Sequence, residues 1–335
     1  MESPTGLSKR LTRRRIAQAV LLALGAGAAA QLYALPTGGE VSAGQAAISQ
    51  SGGRMTIHQA TPKAAINWQG FSIGAQESVR FVQPGASAIA LNRVLGQDPS
   101  LILGRLDANG QVFLLNPNGV LFGHGAQVNV GGIVASTLSL SDEDFLAGRY
   151  RFAGAGGGSV ANQGTITAAE GGYVALLAPQ VANEGVIAAR LGTVALAAGE
   201  QVTLTLAGQQ LLSVAVDRDA VAALAANRQL IQADGGRVIL TASARDALLD
   251  TVVNNSGVIE ARSVSVSNGV VTLDGGASGV TAVSGAIDVA GTAAGETGGR
   301  VVVTGDKVAL MPGASIDASG DAGGGTILVG GGVQG

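Results

Sequence analysis

The stretch Val160-Ala161-Asn162-Gln163-Gly164-Thr165-Ile166 is followed closely by Val181-Ala182-Asn183-Glu184-Gly185-Val186-Ile187. The pattern returns as Val253-Asn254-Asn255-Ser256-Gly257-Val258-Ile259. A second short strand follows each copy, at residues 173–177, 193–196 and 263–266. Two further series repeat in the same way. GAID at 285–288 is echoed by GASID at 313–317, and GGRVIL at 235–240 by GGRVVV at 298–303 and GGTILV at 324–329. Repeats of roughly 20–30 residues, each of two or three strands, mark a parallel β-helix. One coil cannot bury its inward apolar residues, whereas stacked coils bury them on each other. Period-two alternation names the inward positions as Val174/Leu176, Val264/Val266 and Val301/Val303. Gly and Asn turn the corners because they accept positive φ. The fold class is therefore all-β.

Three segments depart from the simple coil. In ANGQVFLLNPNGVLFG (residues 108–123), strands at 101–106, 111–115 and 120–122 flank two turn signals. Asn109-Gly110 is the strongest two-residue hairpin signal. In Asn116-Pro117-Asn118-Gly119, proline presets the first turn dihedral and Gly119 takes a left-handed position. This predicts an antiparallel meander beside the coils, with Asn109, Gly110 and Gly119 as structural turn residues. Residues 141–148 (SDEDFLAG) predict a short helix with Ser141 as N-cap and Gly148 as stop. The Ala/Leu-rich runs 219–229 and 243–253 predict two more.

Composition narrows the class of function. The chain has 335 residues, 47% hydrophobic and 13% charged, with 53 glycines and 8 prolines. That is too apolar for disorder and too poor in proline for collagen. No cysteine is present, so disulfides and thiolate metal sites are excluded. Residues 1–34 read as a secretory signal peptide. Lys9, Arg10, Arg13, Arg14 and Arg15 form the basic region, and residues 16–30 the apolar one. Cleavage after Ala30 or Ala34 fits. Removal takes away five Lys/Arg and one Glu, leaving a remainder of net charge −7. An acidic chain poor in aromatics excludes nucleic acid as the partner.

Little in the sequence points to catalysis. His58 sits outward on a strand and His124 in a turn. Gly154-Ala155-Gly156-Gly157-Gly158 lacks the Lys-Ser/Thr pair and the helix of a phosphate loop. The acids at Asp317 and Asp321 lack the order of a calcium-binding nonapeptide. Asn254-Asn255-Ser256 is a sequon at a coil corner. No catalytic residue, metal site or cofactor is assigned.

The ordered motifs carry a resemblance. INWQGFSIG at 66–74, VRFVQP at 79–84, ALNRVLG at 90–96 and NGQVFLLNPNGVLFG at 109–123 resemble the secretion domain of two-partner-secretion exoproteins. That family includes filamentous haemagglutinins and high-molecular-weight adhesins. The resemblance implies a right-handed parallel β-helix with an N-terminal cap. It implies recognition in the periplasm by the soluble domains of a dedicated outer-membrane β-barrel transporter, followed by release at the cell surface. Asn116, Pro117, Asn118 and Gly119 stand where the family has its Asn-Pro-Asn-Gly motif. Asn92-Arg93-Val94 stands where haemagglutinin-type members have Asn-Pro-Asn-Leu, and the resemblance implies that these two segments form the transporter-recognition motif. The implied domains are the signal at 1–34, the secretion domain at 35–290, and further coils at 291–335 that stop in mid-repeat. An adhesin-type exoprotein that meets host surfaces or glycans is the leading function. A cytolysin or contact-dependent toxin using the same domain, and a carbohydrate-active β-helix enzyme, are the alternatives.

Overall fold

The computed structural model describes residues 35–330, apart from 155, 156, 246, 248 and 249. The export segment assigned to residues 1–34 lies outside them, as do residues 331–335. Strands stack in parallel on three faces of a coil. The first face begins with Arg54–Gln59, Ser78–Val82 and Arg105–Ala108. The second begins with Lys63–Trp68, Ile89–Val94 and Gln111–Leu115. The third begins with Ser100–Ile102, Val120–Phe122 and Ser159–Asn162. The faces run on to Ser315–Asp317, Thr326–Val329 and Lys307–Leu310 respectively. The chain is a parallel β-helix, as its repeats predict, and the stacking passes residue 290 without a break.

The repeat copies sit on one another. Val160 opposes Val181, and Asn162, Asn183, Asn227 and Asn255 form one column. Their spacings of 21, 44 and 28 residues show that coil length varies while register holds. The copy containing Asn227 lies inside the run 219–229, where the sequence predicts a helix. There the chain forms strand Leu224–Asn227 instead, and strand Thr251–Asn255 occupies the end of the other predicted helix. Ala and Leu favour helices in isolation. Here Ala225, Val252 and Val253 are buried in the stacked interior, and that packing overrides propensity. The predicted helix at 141–148 does form, over Asp142–Ala147. Ser141 Oγ accepts from Asp144 N, and Gly148 closes it at φ 75°.

Inward side chains fill the coil. Val174, Leu176, Val301 and Val303 are all fully buried there. Val264 and Val266 depart from the expected pattern. They belong to a tight turn in which Val264 and Ser267 exchange backbone hydrogen bonds, and Val266 is 97% exposed. The second-face strand of that coil is Val270–Asp274, which starts after Gly269.

Gly269 belongs to a column of corner glycines. A Cβ on Gly172 would lie 2.0 Å from Gly131 O, one on Gly192 2.1 Å from Gly172 O, and one on Gly236 2.2 Å from Gly192 O. None of these five has positive φ. Glycine is needed here because stacked corners bring backbones into contact, rather than for its dihedral freedom. Gly192→Ala is therefore expected to lower stability by up to about 3 kcal/mol, because backbone cannot yield as a side chain can. Gly85→Ala, where nothing lies within 4 Å, should be near neutral. Denaturant unfolding of both variants checks this.

Residues 101–106 divide between strands Ser100–Ile102 and Arg105–Ala108, and with 111–115 and 120–122 they do not form the predicted antiparallel meander. They occupy successive faces of the coils and pair in parallel. Asn109 sits at a corner, with Oδ1 accepting from Gln83 N (2.7 Å) and Nδ2 donating to Gln83 O (2.8 Å). Its side chain thus bonds the backbone of the preceding coil. Gly110 lacks the positive φ that a type I′ hairpin requires. A Cβ on it would meet Ala88 O and Gly85 O at 2.8 Å. A hairpin and a coil corner use the same residue types, and only stacking separates them.

Among the described residues, named strands pair antiparallel at two other places. At the N-terminus, Glu40–Ala43 pairs with Lys63–Trp68, and Ala46–Ser51 with Arg54–Gln59. These strands cap the open edge of the first coil. Further on, Tyr150–Ala153, Gln201–Ala207 and Gln210–Arg218 form a three-stranded sheet outside the coil. This sheet and the helix cover the second face and enclose an outer core. Phe113 lies at its centre, 5.6 Å from Tyr150, 6.0 Å from Phe152 and 6.3 Å from Phe145 between ring centroids. Tyr173 Oη donates to Gln111 Oε1 at 2.6 Å, and Gln111 Nε2 donates to Gly208 O at the tip of the outer hairpin. Burial pushes the Tyr173 phenol well above its ordinary pKa, so it stays a neutral donor. Strands buried on both faces read as continuous apolar runs. Residues 112–115 and 194–198 are such runs, whereas burial alternates along Arg300–Thr304 because its outer side faces water.

Candidate functional site

The turn Asn116-Pro117-Asn118-Gly119 joins the second face to the third. Asn116 is fully buried. Its Nδ2 donates to Asp98 O and Ser100 Oγ, both at 3.0 Å, and its Oδ1 accepts from Asn118 N at 3.0 Å. Gly119 N closes the turn on Asn116 O at 3.0 Å. Gly119 has φ 120°, as its motif position predicts. From the following coil, Gly158 packs so closely that a Cβ there would lie 2.5 Å from Gly119 N. Pro117 and Asn118 face solvent. Asn118 Nδ2 reaches back to Gly96 O at 2.9 Å. The motif thus divides into a buried half that shapes the turn and an exposed half that presents a proline ring and a carboxamide. Ser100, Gly96 and Gly158 hold this shape, and sequence reading missed them. The GAGGG run around Gly158 reads as a flexible corner, although its stacking column is what constrains it.

Asn92, Arg93 and Val94 are placed differently. Asn92 points inward and is fully buried, accepting from Trp68 Nε1 at 3.0 Å and donating to Ala90 O and Phe113 O. Val94 is also buried. Arg93 points outward, bonding Asn67 Oδ1, Leu140 O and Asp142 Oδ1 at 3.0, 2.8 and 2.7 Å. This segment presents no free side chain to a partner of the folded chain. It acts with Lys63, which donates to Phe145 O and Leu146 O and lies 5.5 and 5.4 Å from the rings of Phe145 and Tyr150. Burial lowers the Lys63 pKa. Arg93 holds the start of the helix and Lys63 its last carbonyls, where a cation is favoured. Arg93→Met should loosen the helix and lower stability by about 1–2 kcal/mol, because it removes three hydrogen bonds from a partly buried charge. Hydrogen exchange at residues 142–150 checks this.

The remaining candidates carry no constellation. His58 and His124 are exposed. Asp317 Oδ1 accepts from Ser319 N, which holds its carboxyl below the usual range, and Asp321 Oδ2 accepts from Gly295 N. Asn254 lies in strand Thr251–Asn255, and positions 155 and 156 of the GAGGG run lie outside the described residues.

The family model of the TPS (two-partner-secretion) secretion domain matches residues 32–289. The chain belongs to this family. The secretion domain of HMW1 from Haemophilus influenzae superposes with a TM-score of 0.76 at 33% identity, covering 85% of this chain and 74% of that one. The filamentous hemagglutinin secretion domain gives 0.53 at 18% identity, covering 88% and 99%, a likeness of fold. Two curated relatives from Haemophilus influenzae, each named Heme/hemopexin-binding protein, are 38% and 34% identical over 249 and 244 residues. The matches cover 71% and 66% of this chain but only 27% and 26% of those relatives. This chain therefore carries the secretion domain of a TPS exoprotein. Such exoproteins cross the periplasm and then the outer membrane through a partner transporter, reaching the cell surface or the medium.

Proposed function

We propose that the exposed half of the turn, Pro117 and Asn118, is what the transporter's periplasmic domains read, and that Asn116 and Gly119 serve to hold it. The observation that carries this reading is the division of the motif. Asn116 uses both ends of its carboxamide internally, while Asn118 is exposed beside it. Asn92-Arg93-Val94 is proposed as a packing element of the same coils and not as a second recognition site. Residues 35–290 are the proposed secretion domain, with 291–335 continuing the coils of the exoprotein.

Co-expression with the partner transporter tests the reading. Asn118→Ala should cut secreted protein about tenfold with thermal stability essentially unchanged, since the bonds lost, to Gly96 O and Asn116 Oδ1, are made by an exposed side chain. Asn116→Ala should lower stability by about 2 kcal/mol, because Ser100 Oγ and Asn118 N lose a buried partner. Undiminished secretion of stable Asn118→Ala would remove the turn from recognition.

For the whole exoprotein we propose an adhesin-type role at a host surface. The names of the curated relatives favour a second reading, capture of hemopexin or its heme. Binding of the complete exoprotein to host cells, against binding to hemopexin, separates the two.

A further inference from the structure

The first face segregates charge along the stack. It consists of ten parallel segments, from Arg54–Gln59 to Ser315–Asp317. In its first three coils the outward charges are Arg54, Arg80, Arg105 and Asp107, a surplus of +2. The segments of the next four, 127–129, 165–167, 186–188 and 230–232, carry no charge. In the last three the outward charges are Glu260, Asp288 and Asp317. Arg262, at a corner, bonds Glu260 and Asp288 at 3.0 and 2.6 Å, which leaves a surplus of −2. The other charges at the corners are internally engaged. Glu170 pairs with Arg190 and Glu184 with Arg228, while Glu77 and Asp234 accept from the backbone N–H groups of Gly74 and Arg262.

The cationic end is open to a partner. Arg54 and Arg80 are exposed, and among the described residues neither side chain makes a hydrogen bond or ion pair. The order of charge makes the face complementary to itself. A two-fold axis in the plane of the face, parallel to its strands and between the fifth and sixth coils, sets coil one on coil ten, two on nine and three on eight. Arg80 then faces Asp288, Arg54 lies over Ser315–Asp317, and Arg105 lies over Val258–Glu260. Asp107, the anion that meets Glu260 in this arrangement, is held by Arg105 at 2.6 Å. The uncharged coils meet in the middle. At about 4.8 Å per coil and about 3.3 Å per residue, ten segments with their corners cover on the order of 700–800 Å². Each partner of a stable interface buries about that much.

We propose that the first face pairs with the first face of a second copy of this chain, antiparallel, through contacts between its cationic and acidic ends. An isologous contact of this kind uses both charge clusters twice. An acidic polysaccharide would use the cationic end alone and leave the acidic end without a role. The proposal does not depend on the turn at 116–119, which leads into the third face.

Sedimentation equilibrium of the folded chain tests it. Wild type should dimerise at about 50 mM salt and associate at least tenfold more weakly at about 450 mM, where the screening length is about threefold shorter. Arg80→Glu and Asp288→Lys should each lose at least tenfold in self-association, because like charges replace both pairs. An equal mixture of the two variants should regain the dimer. Each mixed dimer holds the new glutamate against the new lysine on one side and Arg80 against Asp288 on the other. Arg300→Glu, on the second face, should associate as wild type does. Thermal unfolding is measured for every variant. If Asp288→Lys unfolds early because Arg262 loses its partner, Arg54→Glu and Asp317→Lys take the place of the pair. A wild type that stays monomeric at low salt overturns the proposal, and so does a mixture no more dimeric than its components. A chain that stays monomeric but is retained on heparin, with retention lost in Arg80→Glu, would give the cationic end to an acidic polysaccharide instead.

Discussion

Asn183→Ala should destabilise the folded chain by about 4 kcal/mol, because each buried polar group stranded without a partner costs about 1–3 kcal/mol. Asn183 stands in the buried asparagine column of the third face. Its Nδ2 donates to Asn227 Oδ1 at 2.9 Å and to Gly185 O and Leu230 O at 3.2 Å. Its Oδ1 accepts from Asn162 Nδ2 at 2.8 Å. The bonds continue from Asn227 Nδ2 to Asn255 Oδ1 at 2.8 Å. Alanine would leave a donor of Asn162 and an acceptor of Asn227 in a dry corner that water does not reach. The loss should propagate, because a coil is stabilised mainly by its neighbours. Asn129→Ala, at an exposed position whose Nδ2 meets Asp107, should cost less than about 0.5 kcal/mol. Urea unfolding of both variants gives the comparison.

Phe113→Ala should cost about 3–5 kcal/mol, the usual range for deleting a buried aromatic ring. Phe113 is fully buried and touches three other rings, which come from the helix and the strand after it. The outer core can collapse little, because its floor is a stacked sheet and its roof is clamped by Lys63 and Arg93. The consequence should be regional. Coils under the outer sheet should lose protection from hydrogen exchange, while those from Arg300 on, with solvated outer faces, should change less. Uniform loss along the stack would show that the outer core does not act as a separate clamp.

Some of this architecture can be read from sequence and some cannot, for identifiable reasons. The V-x-N-x-G-x-I copies are legible because a stacked coil needs the same residue at the same place. The copy at Asn227 escapes notice because its neighbours look helical one by one: Leu224, Ala225 and Ala226 have helix propensity that packing overrides. Asn109-Gly110 misleads because a hairpin and a corner both call for Asn and Gly, and the deciding contact, Gln83, is 26 residues away. The outer core is half legible. The unbroken apolar run at 112–115 marks a strand covered on both sides, but its cover comes from residues 145–152 and 202–216, which no local pattern links to it.

The site shows the same division. The motif Asn116-Pro117-Asn118-Gly119 is visible by spacing and turn chemistry. That Asn116 is buried and Asn118 exposed depends on Ser100 beneath it and on Gly158 stacked above. Asn92-Arg93-Val94 looks equivalent in sequence, yet alternation along its strand turns Asn92 and Val94 into the core and Arg93 toward the helix.

The central claim is that the transporter reads the exposed half of the turn, Pro117-Asn118. Hydrogen–deuterium exchange of the folded chain, with and without the transporter's purified periplasmic domains, tests it most directly. Added protection at residues 116–121, with the first face and the outer sheet unaffected, is the predicted result. Protection confined to the outer sheet or the N-terminal cap, with 116–121 exchanging as in the free chain, would contradict it.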